Sequence, residues 1–152
     1  MVVLVQRVKG ARLSRLEANG SFKEVCAIGQ GLAVYVGIEK TDNEKVVQAC
    51  AAKTANLRIF EDESGKMMFS AREKGLSVLC IPNFTLCAQL DNGQRPSFDN
   101  AMDKVGAKRC FEVFLRCLAN EMNKPPVSGV FGSNMRIAQV NDGPVNIILK
   151  SV

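Results

Sequence analysis

Two stretches with a helical period, set among short apolar runs of strand character, restrict this chain to folds that pack two helices against a sheet. In 42–58, Val46, Val47, Cys50, Thr54 and Leu57 recur at helical spacing behind Thr41-x-x-Glu44, the pattern of a capping box. In 100–122, Ala107, Cys110, Phe111, Phe114, Leu115, Leu118 and Met122 form one apolar stripe. Lys124-Pro125-Pro126 stops it, because proline has no amide hydrogen to continue a helix. The rest reads as strands. Residues 1–8 and 11–18 form two of them, and Asn19-Gly20 turns the chain into 22–28. GLAVYVGIE at 31–39 is a buried strand, and after a turn at Lys74-Gly75 the run LSVLCIPNFTLCA contains a strand interrupted by Pro82. Three short apolar segments, VSGVF, MRIAQV and VNIILKSV, close the chain. The expected fold is α+β, an antiparallel-rich sheet that curls or closes into a barrel with two main helices, in one domain over 1–152.

Composition narrows the function. No apolar run approaches the roughly 20 residues that span a bilayer, and MVVLVQRVKGARL places its apolar residues before its basic ones, the reverse of a signal peptide. A cytoplasmic protein with no membrane partner is expected. The six cysteines include no CxxC pair, and each sits in an apolar stretch, so they read as reduced core residues. There is no histidine, which removes Ser-His-Asp and Cys-His catalysis, histidine zinc sites and the usual general base in one step. The net charge of +5 fits either a solvated surface or a weak field for a phosphate-rich partner, and charge alone does not separate the two.

Three segments break their local pattern. In IPNFTLCA (81–88), Pro82 signals an edge or a bulge; either a plain edge strand results, or main-chain groups of Asn83, Phe84 and Thr85 are left open to a ligand. In GQRPSF (93–98), Arg95-Pro96-Ser97 reads as the lead into the second helix, with Ser97 as its cap. The third is GVFGSNM with VNDGPVN, over 129–146. Gly129 and Gly132 around Phe131 permit close backbone approach or are turn residues. Asn141-Asp142-Gly143 signals a tight hairpin, yet Pro144 weakens the returning strand at its first residue.

These segments resemble the D-aminoacyl-tRNA deacylases, esterases that remove D-amino acids from mischarged tRNA. The likeness runs through QRV at 6–8, GLAVYVGI, RPSF at 95–98, GVFGSNM at 129–135 and NDGPV at 141–145. Two segments, IPNFTLCA at 81–88 and NDGPVN at 141–146, correspond to the family signatures SQ-x-TL-x-A and N-x-GP-x-T. The resemblance implies a homodimer in which a cis Gly143-Pro144 peptide enters the partner's site, its carbonyls facing the substrate α-carbon. Such a main-chain filter rejects L-isomers while accepting many side chains. No cofactor is expected and no metal-binding residue is assigned; whether a metal is used is not decided by the sequence. The partner that the resemblance implies is an aminoacylated tRNA 3' end, whose terminal 2'-hydroxyl would assist hydrolysis, and glycyl-tRNA is a further candidate substrate.

Carried onto this chain, the resemblance makes Thr85 and Phe84 the catalytic candidates. With no histidine to activate the Thr85 hydroxyl, main-chain N–H groups of Phe84 and Thr85 are favoured as oxyanion donors and Thr85 becomes a positioning residue. Asn83, Gly143, Pro144, Phe131, Gly132, Met135 and Arg7 are the substrate-binding candidates. The segment around Phe131 and Met135 would hold the terminal adenine, and Arg7 would support the Gly-Pro segment or contact phosphate. Pro82 and Asn83 stand where the family has Ser-Gln, and Asn146 where it has Thr. These departures leave an alternative, a weakened homologue that binds tRNA ends or another nucleic acid without hydrolysis.

Overall fold

The computed structural model describes residues 1–91, 93–122 and 124–150. Among these residues, eight strands and two α-helices follow one another as β1 (Val2–Leu16), β2 (Phe22–Ile28), β3 (Gly31–Gly37), α1 (Glu44–Asn56), β4 (Arg58–Glu61), β5 (Met67–Ser70), β6 (Ser77–Pro82), α2 (Lys104–Glu121), β7 (Val127–Ser128) and β8 (Met135–Lys150). A single 3-10 turn, Phe84–Cys87, follows β6. Six strands form one sheet in the order β2-β1-β3-β6-β7, with β8 on the other side of β1. The pairs of β1 with β2, β3 and β8 are antiparallel, and those of β6 with β3 and β7 are parallel. The sheet curls until its ends approach, where the Cys26 thiol reaches the Ser128 carbonyl at 3.6 Å.

Side-chain alternation divides the core in two. Leu32, Val34 and Val36 of β3 and Val78 and Cys80 of β6 pack toward the helices, joined by Val47, Ala51, Phe111, Phe114 and Leu118. The intervening Ala33, Leu79 and Ile81 point into the curl with Val8, Ala11 and Leu13. This period of two lets one sheet face two apolar layers. Burying a side chain the size of Leu or Phe stabilises by about 1.5–3 kcal/mol, so each layer contributes substantially. Gly31 is required by the parallel pairing, since a Cβ there would lie 1.9 Å from the Ser77 carbonyl oxygen.

The helices form where the apolar stripes predict them, with different caps. Asn43, not Thr41, caps α1, accepting from Val46 N at 3.1 Å. Asp42 is already engaged by Glu39 N at 2.7 Å, which fixes the chain just before the helix. Helix α2 starts at Lys104 rather than near 100, because Asp103 accepts from both Val105 N and Gly106 N at 3.0 Å. Ser97 is therefore not a helix cap; its backbone pairs with Gln89 in both directions at 2.9 Å and closes the loop between them.

The strand expectations need larger corrections. The two strands expected over 1–8 and 11–18 are one strand, β1, which ends at Leu16 and pairs with β3 over Val2–Val8 and then with β2 over Ala11–Leu16. VSGVF forms only the two-residue β7. MRIAQV and the described part of VNIILKSV lie in a single strand, β8, with Asn141–Pro144 inside it; residues 151 and 152 lie outside the described residues. The hairpin of β4 and β5 was not anticipated. No helix among the described residues is long and apolar enough to cross a membrane.

Candidate active site

Pro82 ends β6 rather than interrupting it. It pairs with Val36 of β3 beyond the last residue matched by β7, so its missing N–H breaks no ladder on that side. The next residue, Asn83, donates its N–H to the Val36 carbonyl at 2.8 Å and caps the 3-10 turn. Its side-chain oxygen accepts from Thr85 N at 3.2 Å and from the Thr85 hydroxyl. The expectation of two open main-chain donors is thus corrected: the Thr85 N–H is satisfied locally, and the Phe84 N–H is the one that finds no acceptor among the described residues. The Thr85 hydroxyl is likewise held by an amide oxygen, which is a poor proton acceptor for activating a nucleophile.

The turn lies close against β3 because residue 37 is glycine. A Cβ there would meet Leu86 Cβ at 2.8 Å, Cys87 Sγ at 3.0 Å and the Asn83 carbonyl oxygen at 3.1 Å. Burial, with a smaller contribution from the charge of Glu39, pushes the Cys87 thiol up to about 11. It is a packing group and not a thiolate at neutral pH. The Phe84 ring is exposed and meets Phe98 edge-on, with centroids 5.0 Å apart.

Two clefts open on either side of this turn. The first, about 360 Å³, is lined by apolar residues of β3 and α2, by Asn83 and Phe84, and by Phe131, Gly132 and Lys104. The second, about 350 Å³, shares Pro82, Asn83, Phe84 and Gly132 with the first and adds Tyr35, Met135 and Ile137. Phe131 and Met135 therefore line different clefts that join at Gly132. Gly132 holds a positive φ of 73° in the turn between them, a conformation that favours glycine. The Phe131 ring leans on Phe111 of α2 at 6.1 Å.

Gly143 and Pro144 line neither cleft. They occupy a bulge in β8: Gln6 pairs with Asn146 and Val8 with Asn141, so four residues of β8 stand opposite Arg7 alone. The Gly143–Pro144 peptide is cis, as the resemblance implies, and both residues are exposed. Arg7 is only 7% exposed and points toward the helix layer beneath the bulge. Its Nε donates to the Asp142 carbonyl at 3.1 Å, and its Nη1 donates to the Ile59 carbonyl at 2.7 Å and to Glu61 at 3.3 Å. Of the two roles left open for Arg7, the geometry gives support of the bulge.

The ends of the bulge are tied as well. Asn146 accepts from Gln6 Nε2 at 2.7 Å, and Gln139 Nε2 donates to Gln6 at 2.8 Å and to Asn141 at 2.7 Å. The Tyr35 hydroxyl donates to Gln139 at 3.1 Å, which links the second cleft to the bulge. The departure at 146 is therefore accommodated by an amide pair. Sequence reasoning missed Gln6, Tyr35, Glu61, Lys104 and Gln139. The available signal was slight: Tyr35 is the only tyrosine, and Lys104 sits beside an apolar stripe.

Comparison with known proteins identifies relatives over almost the full length. Residues 4–150 match the family described as D-Tyr-tRNA(Tyr) deacylase. The D-aminoacyl-tRNA deacylase of Geobacter sulfurreducens is 43% identical, the match covering 98% of this chain and 94% of that protein. The one from Thermodesulfovibrio yellowstonii is 37% identical over 99% of both. Among solved structures, a protein named c-Myc DNA unwinding element binding protein superposes with a TM-score of 0.91 at 36% identity, covering 100% of this chain and 99% of that one. A structure described as a probable eukaryotic D-amino acid tRNA deacylase superposes with a TM-score of 0.78 at 17% identity over 97% of both chains, a likeness of fold.

Proposed function

The chain belongs to the D-aminoacyl-tRNA deacylase family and is a hydrolase of D-aminoacyl-tRNA esters, and from that premise we propose that its active site is built across two copies of the chain. The observation that carries this reading is the position of Gly143 and Pro144, exposed on β8 and outside both clefts of their own chain. β8 pairs only with β1 among the described residues and exposes Val140 and Ile148, so a second copy has an edge and apolar side chains to meet. We treat residues 1–152 as one domain acting in the cytoplasm, where its six unpaired cysteines would stay reduced.

In this arrangement the acyl group of the substrate lies against the 3-10 turn with its carbonyl oxygen at the Phe84 N–H. That donor is already fixed by Asn83 on one side and the turn on the other, so little reorganisation is needed as negative charge develops on the oxygen. Thr85 holds the turn through Asn83 and is a positioning residue. The terminal adenine packs on Phe131 in the first cleft, and Gly132 and Met135 border the second. Stacking or apolar contact of a base is worth roughly 1–3 kcal/mol. The chain has no histidine, and the ester needs no strong base if the adjacent ribose hydroxyl assists water attack. The partner's Gly143 and Pro144 carbonyls face the α-carbon, where an L side chain collides and a D side chain points away. Glycine, with no side chain, would pass the same filter, so glycyl-tRNA belongs to the candidate substrates.

The test is single-turnover hydrolysis of tRNA charged with the D- and the L-form of one amino acid. Hydrolysis of the D-ester alone supports the reading. Equal cleavage of both, or of neither with enzyme in excess, contradicts it. A second reading has one specific support, the DNA-binding name of the 36% identical relative. Under it the protein binds nucleic acid ends without turnover, and tight binding with no hydrolysis of either ester would favour it.

A further inference from the structure

Among the described residues that line the two clefts, Lys104 is the only charged one. It is exposed, and it has no ion-pair or hydrogen-bond partner among the described residues. Its nearest carboxylate in sequence, Asp103, is occupied in capping α2. The lysine stem passes beside Gly132, where a Cβ would sit 3.1 Å from Lys104 Cε and 3.5 Å from Nζ, so a larger residue at 132 would crowd it. A solvated cation in a largely apolar cleft contributes nothing to packing that a neutral side chain would not.

We propose that Lys104 binds the phosphodiester joining the terminal adenosine of the tRNA to the nucleotide before it; this rests on the cleft being the site for the aminoacylated end. The chemistry of the substrate selects that group. Esterification removes the carboxylate of the amino acid and leaves its ammonium, which repels a lysine. The adenosine is neutral. The phosphate on the 5' side of the ribose is therefore the only anion near the reacting ester, and it lies on the far side of the sugar from it. The two protein groups likewise come from separate elements, Lys104 from the start of α2 and Phe84 from the 3-10 turn. Lysine suits the task as a compact charge on a flexible stem that can follow a mobile phosphate. The contact would make the enzyme recognise a nucleic acid end rather than any D-amino acid ester.

The test compares wild type, Lys104→Met and Lys104→Arg on two substrates over a series of salt concentrations: D-aminoacyl-tRNA, and the same D-amino acid esterified to free adenosine, which carries no phosphate. For Lys104→Met the KM for the tRNA substrate is expected to rise about tenfold more than that for the adenosine ester, as for loss of a charged hydrogen bond, with kcat held within about twofold. The salt dependence of kcat/KM on tRNA should become shallower by about 0.7 in log–log slope, the amount for one single-strand phosphate, and Lys104→Arg should restore both. Unchanged KM and salt slope on tRNA, or equal losses on the two substrates, would overturn the phosphate assignment. Failure of wild type to hydrolyse either substrate would instead overturn the reading of the cleft.

Discussion

The Arg7 guanidinium donates to the Asp142 carbonyl at 3.1 Å and lies 3.6 Å from the Asp142 carboxylate, so a buried cation holds the residue that precedes Gly143 and Pro144. The same side chain reaches Ile59 and Glu61 of β4, which fixes the bulge from below against a separate hairpin. Three acceptors arranged around one planar group cannot all be met by a lysine. Arg7→Lys is therefore expected to fold but to lose stereochemical discrimination, with the rate ratio of D- to L-ester falling at least about tenfold. Arg7→Met should also lose about 2–3 kcal/mol of stability, as a buried hydrogen-bonded charge is removed and its acceptors are left. Denaturant titration and D/L single-turnover rates check the two effects separately. Glu61→Gln should cost less than about 1 kcal/mol, because that carboxylate is half exposed.

Asn83 and Thr85 give a second prediction. Thr85→Ala removes a hydroxyl that is bound to Asn83 rather than to a base, so hydrolysis should persist within about one to two orders of magnitude of wild type. Asn83→Ala releases the Thr85 N–H and loosens the turn that presents the Phe84 N–H, and should lower kcat by about tenfold with KM nearly unchanged. A Thr85→Ala protein that binds tRNA normally but is inactive, together with a trapped acyl-Thr85, would show that the hydroxyl is the nucleophile.

Gly37 tests how closely the turn must lie on β3. Its substituent would enter a space already filled by Leu86, Cys87 and Asn83, and two of these three groups belong to the turn itself. Gly37→Ala is expected to displace the turn by a few tenths of an ångström and to reduce kcat by about tenfold or more while the protein stays folded. Near-UV circular dichroism and single-turnover rates on one sample would separate this from global unfolding.

The pattern of what was legible follows from where the determining forces act. The stripe through Phe111, Phe114 and Leu118 is set by burial alone, and it appears in the structure as the sequence suggests. Caps depend on single hydrogen bonds, and Asp103 displaced Ser97 because its carboxylate reaches two N–H groups at once. The β4 and β5 hairpin leaves little trace in the sequence because its strands are four residues each, β4 buries the adjacent Ile59 and Phe60 instead of alternating, and β5 leaves Met67, Met68 and Phe69 exposed. In the site, Phe84, Asn83 and the Gly143–Pro144 peptide were readable through motif resemblance. Arg7, Gln6 and Gln139 act through contacts with residues more than 130 positions away, which no local pattern records.

Alkaline pH should destabilise the protein through its thiols. Burial raises Cys26, Cys50, Cys80, Cys87 and Cys110 above the ordinary thiol value of 9.0, with Cys87 at about 11. Above pH 9 the unfolded chain releases these protons while the folded chain keeps them, so unfolding gains favourable free energy as pH rises. For Cys87 the loss begins near 9 and levels off above about 11. The urea midpoint should accordingly fall from about pH 9 upward, and iodoacetamide should modify Cys87 slowly at neutral pH. Rapid alkylation of Cys87 at pH 7 would contradict its burial as a neutral thiol.

The shared site is tested most directly by mixing two defective copies. Phe84→Pro removes the one open N–H at the first position of the turn, where proline is tolerated, and Gly143→Val disturbs the filter at a residue whose φ is 130°. Each variant alone should fail to hydrolyse D-aminoacyl-tRNA selectively. If each cleft is completed by the partner's Gly143 and Pro144, a mixed dimer contains one site with both defects and one site with neither. After denaturation and refolding of an equal mixture, D-specific activity should return to about one quarter of wild type, since about half the dimers are mixed and each carries one intact site of two. An equal mixture with no more activity than the two variants measured separately would contradict a site built across two copies.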